Sequence, residues 1–446
     1  MKRSIFILIM VICVRNANAQ GLKDRIEKAY KRFETDEQLS NAISSFYVIE
    51  AETGKVVFDM NSRKGLAGAS TQKVITAATA FSLLREDFRF ETSFYQDGNV
   101  LDVIGTGDPS LGSDRYSSGS PKTIFELIEK SGLAKGLPPV KKVNFWKYDT
   151  SDKLAPAGWI NEDMGNYYGA AAHMFNWKEN QFDLVMKPAD MIGRVVTIDT
   201  AKTTYWKQIV VECFTGEKGS GDNAYIYFIP GSEKMLVKGT IPFGVDRFTI
   251  SGADPYPELS FVRSYSNYTG RNIECIYAKP SQKGLGIASI KSPSLDSMVY
   301  WFLKKSINLY GEALLNKICE QKGYLTHDSA VSVVQAFWKA KGIDERELNI
   351  YDGSGLSPLN RLTTHAQVEV LRYAKTQKWF AEYFAGFPEY NGMKIKSGTI
   401  NDVKGFCGYH TSKTGKQYIF SFLVNNYNGK SSTLVAKMFK VLDELK

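Results

Sequence analysis

The sequence predicts a mixed α/β (α+β) protein in which both ends of the chain build one central antiparallel sheet, split by a large mixed α/β insertion. Three observations carry this expectation. Strand-like runs stand near both ends, helical periodicity occupies the C-terminal half before the last strands, and from about Phe88 to about Ala278 the texture changes to short alternating segments with Gly-rich turns. At 446 residues the chain also exceeds what a single hydrophobic core usually serves, so more than one folded unit is expected.

The first 19 residues read as a secretory signal peptide. Lys2 and Arg3 precede the apolar run Ile5 to Val14, and Ala17-Asn18-Ala19 forms a small-residue cleavage site before Gln20. Cys13 lies inside the apolar run without small residues before it, which speaks against a lipid-modification site. No later stretch approaches the roughly 20 apolar residues of a membrane helix, so the expected location is the periplasm, with no membrane span. Without Lys2, Arg3 and Arg15 of the leader the formal charge falls from +9 to +6. Scattered lysines and arginines suit an anionic wall polymer, but no dense basic run with interleaved aromatics supports nucleic-acid binding.

Downstream, Ser45 to Glu50 and Val56 to Met60 read as strands joined by the turn Glu52-Thr53-Gly54-Lys55. Val74, Ile75, Ala78, Phe81 and Leu84 then share the apolar face of a helix that starts at Ser70-Thr71. After the inserted region, Met298, Trp301, Phe302, Leu309 and Leu314 restore the helical period, and further helices follow Ser329 and Thr364. Phe406 to Thr411 and Gln417 to Asn425 close the chain as strands around Ser412-Lys413-Thr414-Gly415, before the amphipathic segment Leu434 to Leu445. The four cysteines of the mature chain, Cys213, Cys275, Cys319 and Cys407, and the four histidines are dispersed without metal-ligand spacing, so neither metal nor cofactor is predicted. A disulfide between Cys213 and Cys275, both in strand-like segments, stays open.

Three short elements carry the chemistry: Ser70-Thr71-Gln72-Lys73, Ser306-Ile307-Asn308 and Lys396-Ser397-Gly398. In this order they match the S-x-x-K, S-x-N and K-[ST]-G set. On a helix, residues three apart share a face, so Lys73 can reach the Ser70 hydroxyl and act as its base if burial and a nearby cation such as Lys396 favour the neutral amine. A helix start also directs the Ser70 N–H at a developing oxyanion. Ser306 can pass a proton to a leaving amine, and the Asn308 amide can bind a substrate backbone. Lys396 and Ser397 on an edge strand can hold the terminal carboxylate of an extended peptide, with Gly398 leaving room for close approach. Two look-alikes are set aside: Lys413-Thr414-Gly415 falls at a turn apex, and Glu345 to Asn349 runs straight into Ile350-Tyr351-Asp352-Gly353-Ser354-Gly355.

With these residues the chain resembles the class C low-molecular-mass penicillin-binding proteins, the D-alanyl-D-alanine carboxypeptidase/endopeptidase family. Gly107-Asp108-Pro109-Ser110-Leu111, Gly239-Thr240-Ile241-Pro242, Asn308-Leu309-Tyr310-Gly311-Glu312 and Asp352-Gly353-Ser354-Gly355-Leu356-Ser357 extend the likeness over nearly the whole mature chain. The resemblance implies a transpeptidase-like domain over residues 20–87 and 279–446, split by one or two small subdomains in residues 88–278. It implies cleavage of D-Ala-D-Ala stem peptides, possible action on D-alanyl cross-links of peptidoglycan, and covalent binding of β-lactams. It makes Ser70 the nucleophile, Lys73 the base, Ser306 a proton relay, Asn308 a substrate ligand, and Lys396 and Ser397 carboxylate binders, with the N–H groups of Ser70 and Thr399 as oxyanion hole. Ile307 in place of the more usual Asp, Ser397 in place of Thr and Gly311 in place of Ala depart from the family pattern. A β-lactamase and a catalytically decayed wall-binding module of the same fold are the competing readings. The sequence does not set the oligomeric state, and a homodimer stays open.

Overall fold

The computed structural model describes residues 21–85, 87–146, 155–156, 158–203, 208–228, 234–323 and 327–446. Residues 1–19, which the sequence leads one to expect as a signal peptide, lie outside them. Among the described residues the chain forms two compact units, the first drawn from 21–83, 299–306 and 328–446, the second from 84–298 and 307–327.

The first unit is built on a six-stranded antiparallel sheet. Its strands are β1 (Ile43–Glu50), β2 (Val56–Met60), β3 (Glu389–Tyr390), β4 (Met393–Ile400), β5 (Val403–Thr411) and β6 (Gln417–Asn425), in the spatial order β3-β4-β5-β6-β1-β2. The two ends of the chain meet where β1 pairs with β6, Phe46 opposite Phe422 and Val48 opposite Phe420. Side chains alternate across a strand, so these residues share one face. Against that face lie Leu22, Ile26, Tyr30 and Phe33 of helix α1 (21–34) and Leu434, Met438 and Val441 of the C-terminal helix Ser431–Leu442. The rings of Phe46 and Phe422 stand 4.7 Å apart, and Tyr30 keeps its hydroxyl satisfied by Ser44 Oγ at 2.6 Å.

The opposite face carries Ser45 and Ser421, which bond upward into the helix Thr364–Lys375: Ser45 Oγ meets Thr364 Oγ1 at 2.6 Å, and Ser421 Oγ donates to Gln367 Oε1 at 2.5 Å. Helix α2 (Lys73–Leu84) is hydrophobic almost all round and correspondingly buried. Two buried donors tie it to other helices of the unit, Trp338 Nε1 to Thr79 Oγ1 at 2.9 Å and the Tyr383 hydroxyl to the Val74 carbonyl at 2.9 Å.

Among the described residues the second unit shows two cores. One lies under a five-stranded sheet ordered Glu274–Ile276, Lys142–Phe145, Val100–Ile104, Glu91–Asp97, Leu285–Lys291, with Phe125 of the helix Pro121–Ala134 and Phe261 and Tyr265 of the helix Pro257–Thr269 among its residues. The other joins two three-stranded sheets through Leu184, Met186, Ile226, Val237 and Ile250. In the Gly239-Thr240-Ile241-Pro242 motif, Gly239 has φ +109° and a Cβ there would stand 2.0 Å from the Asn223 carbonyl oxygen, so the neighbouring strand excludes a side chain.

Two sequence expectations shift in detail. The strand Leu285–Lys291 pairs antiparallel with Glu91–Asp97, and the helix Asn308–Gln321 also falls in the second unit, so that unit reaches past the expected boundary at Ala278 and takes in a later piece of chain. Periodicity identified these elements but could not assign them to a core. Cys213 and Cys275 stand in different sheets, Cys213 in the strand Ile209–Gly216 and Cys275 in the strand Glu274–Ile276.

Candidate active site

Ser70 does not start an α-helix. It lies in a 3-10 turn, Ala69–Gln72, and α2 begins only at Lys73. The turn is entered through Ala69 at φ +46°, a left-handed conformation unfavourable for a residue with a Cβ. The conformation is held from several sides. Thr71 Oγ1 donates to the Gly68 carbonyl at 2.6 Å and accepts from Gln367 Nε2 at 2.8 Å, while the Cys407 thiol donates to the Thr71 carbonyl at 3.8 Å. Gly355, at φ +82°, lies so close that a Cβ would stand 2.0 Å from the Ala69 carbonyl oxygen.

Lys73 is completely buried. Its Nζ lies 2.9 Å from Ser70 Oγ and donates to the Ser354 carbonyl at 2.7 Å, with the Phe302 ring centroid 5.7 Å away. The spacing of three is served by the tighter 3-10 turn, in which residues i and i+3 eclipse.

The third element occupies β4, on whose inner side Lys396 pairs with Cys407 and Gly398 with Gly405 of β5. A Cβ on Gly398 would meet the Gly68 carbonyl oxygen at 2.4 Å, Thr71 N at 2.8 Å and Ser70 N at 3.0 Å. The glycine therefore makes room for the nucleophile turn itself. Lys396, two residues earlier, shares that face of the strand. It is 2% exposed, and its Nζ donates to the Ser397 carbonyl at 2.7 Å. Burial pushes Lys396 down to about 7, opposed by the Cys407 thiol and assisted by Lys404. Ser397 is half-buried, and exposed Thr399 accepts from Lys404 Nζ through its hydroxyl at 2.7 Å.

The second element divides between the units. Ser306, half-buried with φ +59°, ends a segment of the first unit. Asn308 opens a helix of the second unit, where its Nδ2 donates to the Tyr168 carbonyl at 2.7 Å and Tyr310, one half-turn on, donates to buried Glu179 at 2.9 Å.

The two look-alikes fall elsewhere. Lys413 and Thr414 occupy the β5–β6 turn, closed by Ser412 N to the Lys416 carbonyl at 2.8 Å. Glu345 is exposed and paired with Lys339 at 2.8 Å. Sequence reasoning missed Gln367, Cys407 and the 352–354 carbonyls. Gln367 acts by side-chain bonds to Thr71 and Ser421, Cys407 through the Thr71 carbonyl, and the loop through its own carbonyls, all between segments far apart in the chain, so no residue spacing signals them. Among the described residues no group of His, Cys, Asp or Glu has a metal-binding arrangement, and no helix is long and apolar enough to cross a membrane.

Comparison with known proteins adds to this geometry. The chain is 23% identical to a D-alanyl-D-alanine carboxypeptidase of Actinomadura sp. (strain R39), over 90% of this chain and 81% of that protein. It is 27% identical to penicillin-sensitive carboxypeptidase A of Dictyostelium discoideum, over 85% of this chain and 81% of that one. The crystal structure of penicillin-binding protein 4 from Haemophilus influenzae has the same fold, with a TM-score of 0.75, 18% identity and coverage of 96% of this chain and 98% of that one. The sequence pattern of one family spans residues 26–445, nearly all of the described chain, and on that match the protein belongs to the D-Ala-D-Ala carboxypeptidase 3 (S13) family.

Proposed function

We propose that this hydrolase of the D-Ala-D-Ala carboxypeptidase family cleaves peptidoglycan stem peptides through an acyl-enzyme on Ser70, and that β-lactams acylate the same hydroxyl. The observation that carries this reading is the buried Lys73 Nζ at 2.9 Å from Ser70 Oγ. Lys73 takes the Ser70 proton as Oγ attacks the carbonyl carbon of the penultimate D-alanine. The N–H groups of Ser70 and Thr399 receive the oxyanion, Ser306 passes a proton to the departing amine, and terminal D-alanine leaves. Water then hydrolyses the ester and the proton returns along the same route. Asn308 orients the substrate backbone, and Lys396, Ser397 and the open strand edge beside Gly398 hold the terminal carboxylate. A D-alanyl cross-link fits the same chemistry, which makes endopeptidase action part of the proposal. The signal-like N-terminus favours the periplasm as its place of work.

A β-lactamase would need Glu345 of the Glu345 to Asn349 segment, which mimics the E-x-x-L-N loop of class A β-lactamases, to hold a deacylating water, and Glu345 is instead engaged with Lys339 at the surface. Labelling with fluorescent penicillin, followed by peptide mass spectrometry, tests the proposal. Wild type should carry the label on Ser70 and release D-alanine from a pentapeptide stem, and Ser70→Ala should do neither while keeping its thermal transition. Label retained by Ser70→Ala would remove the assignment, and rapid turnover of a chromogenic cephalosporin would restore the β-lactamase reading.

A further inference from the structure

Three side chains of the Ser70 turn and α2 converge on three successive carbonyls. Gln72 Nε2 donates to the Asp352 carbonyl at 2.6 Å, Thr76 Oγ1 to the Gly353 carbonyl at 2.6 Å, and Lys73 Nζ to the Ser354 carbonyl at 2.7 Å. A loop with no regular secondary structure thus presents its backbone to the nucleophile's own base. Such a loop needs something to fix its carbonyls in direction. Asp352, fully buried, supplies it: Oδ1 accepts from Gly355 N at 2.7 Å and Asn360 Nδ2 at 3.0 Å, and Oδ2 accepts from Ser357 N at 2.6 Å. Gly355 in turn packs against the Ala69 carbonyl, the residue whose left-handed backbone sets the direction of Ser70.

We propose that Asp352 is a positioning residue for acylation: by fixing the 352–357 loop it aims the Ser354 carbonyl at Lys73 Nζ and braces the Ser70 turn. The geometry explains what the carbonyl does during the reaction. A neutral lysine has one lone pair and two N–H bonds, so committing an N–H to Ser354 limits the amine's rotation and leaves the lone pair able to face Ser70 Oγ–H. Once the proton has moved, the same carbonyl stabilises the new ammonium. Asp352 touches neither substrate nor the transferred proton; it acts through the loop and through its own Oδ1, which also accepts from Gln72 Nε2 of the nucleophile turn at 3.3 Å.

The inference rests on Ser70 being the acylated residue, and the experiment separates the two. Asp352→Asn keeps the side chain's size but sets an NH2 group against a backbone N–H, either that of Ser357 or that of Gly355, which it cannot accept from. In stopped-flow acylation by a reporter penicillin, Asp352→Asn should lower the limiting acylation rate constant by about 10- to 100-fold, as a small misplacement of a reacting pair does. The half-saturation concentration should change by less than about threefold. A purely structural role would instead lower the labelled fraction together with the folded fraction, leaving the rate constant of the folded protein unchanged. Ile226→Ala, in a core of the second unit, controls for lost stability and should keep the wild-type rate constant. If Asp352→Asn is not recovered folded, Thr76→Val decides, with an expected loss of about 3- to 10-fold in the same constant. A wild-type rate constant in the folded variant overturns the inference. Failure of wild type to label at Ser70 overturns the function instead.

Discussion

Two buried lysines dominate the first unit, and their surroundings give them different work. Lys73 has the Ser70 hydroxyl and a carbonyl within hydrogen-bond distance, whereas Lys396 has the Ser397 carbonyl and a neutral thiol across the ladder. Burial brings Lys396 down to about 7, so the unliganded protein loses that ammonium as pH rises through neutrality. Only the charged form holds a carboxylate. The specificity constant for a D-Ala-D-Ala free acid is therefore expected to fall on the alkaline side, with an apparent value near 7, since this constant reports the free enzyme. The matching C-terminal amide should lack that limb. Lys396→Ala should lose about 1.5 to 3 kcal/mol, one to two powers of ten, on the acid and discriminate poorly between acid and amide. Lys413→Ala, in the β5–β6 turn, should behave as wild type. The reverse pattern in the two variants would move the carboxylate site to the turn.

At the scale of elements, the nucleophile turn is defined less by its own sequence than by what packs on it. β4 and the 352–357 loop each bring a glycine within backbone distance, Gly398 against Gly68 and Ser70, Gly355 against Ala69. Gly398→Ala forces the turn and the strand apart, because the atoms met at 2.4 to 3.0 Å are backbone and cannot swing aside. The expected destabilisation is about 1 to 3 kcal/mol. Acylation should fall further than stability predicts, since the displaced atoms include the Ser70 N–H. Thermal denaturation and acylation kinetics on the same preparation check this, and a variant with an unchanged acylation rate constant would show that the turn has slack.

At the scale of the whole molecule, the core under the six-stranded sheet of the first unit is a separate hydrophobic cluster from those described in the second, so more than one melting transition is expected. Ile226 is fully buried in the core between the two three-stranded sheets, and Ile226→Ala should cost about 2 to 5 kcal/mol. Calorimetry should show a transition lowered, while Ser70 acylation at room temperature persists. Loss of acylation in the folded variant would mean that the two units are energetically inseparable. The sequence by itself determined what depends on local order along the chain: the strands of both termini, the apolar period of α2, the turn at Lys413, and the three short elements in their order. Each is a pattern of neighbours, and period and turn chemistry read neighbours well. Only the tertiary structure decided that Ser70 sits in a 3-10 turn, that Leu285–Lys291 and Asn308–Gln321 belong with the second unit, and that Gly398 makes room for the nucleophile turn. It alone revealed that Asp352, 279 positions after Lys73, anchors a carbonyl on the base. Such facts follow from packing and from backbone atoms, which are the same in every residue and so leave no mark on residue type.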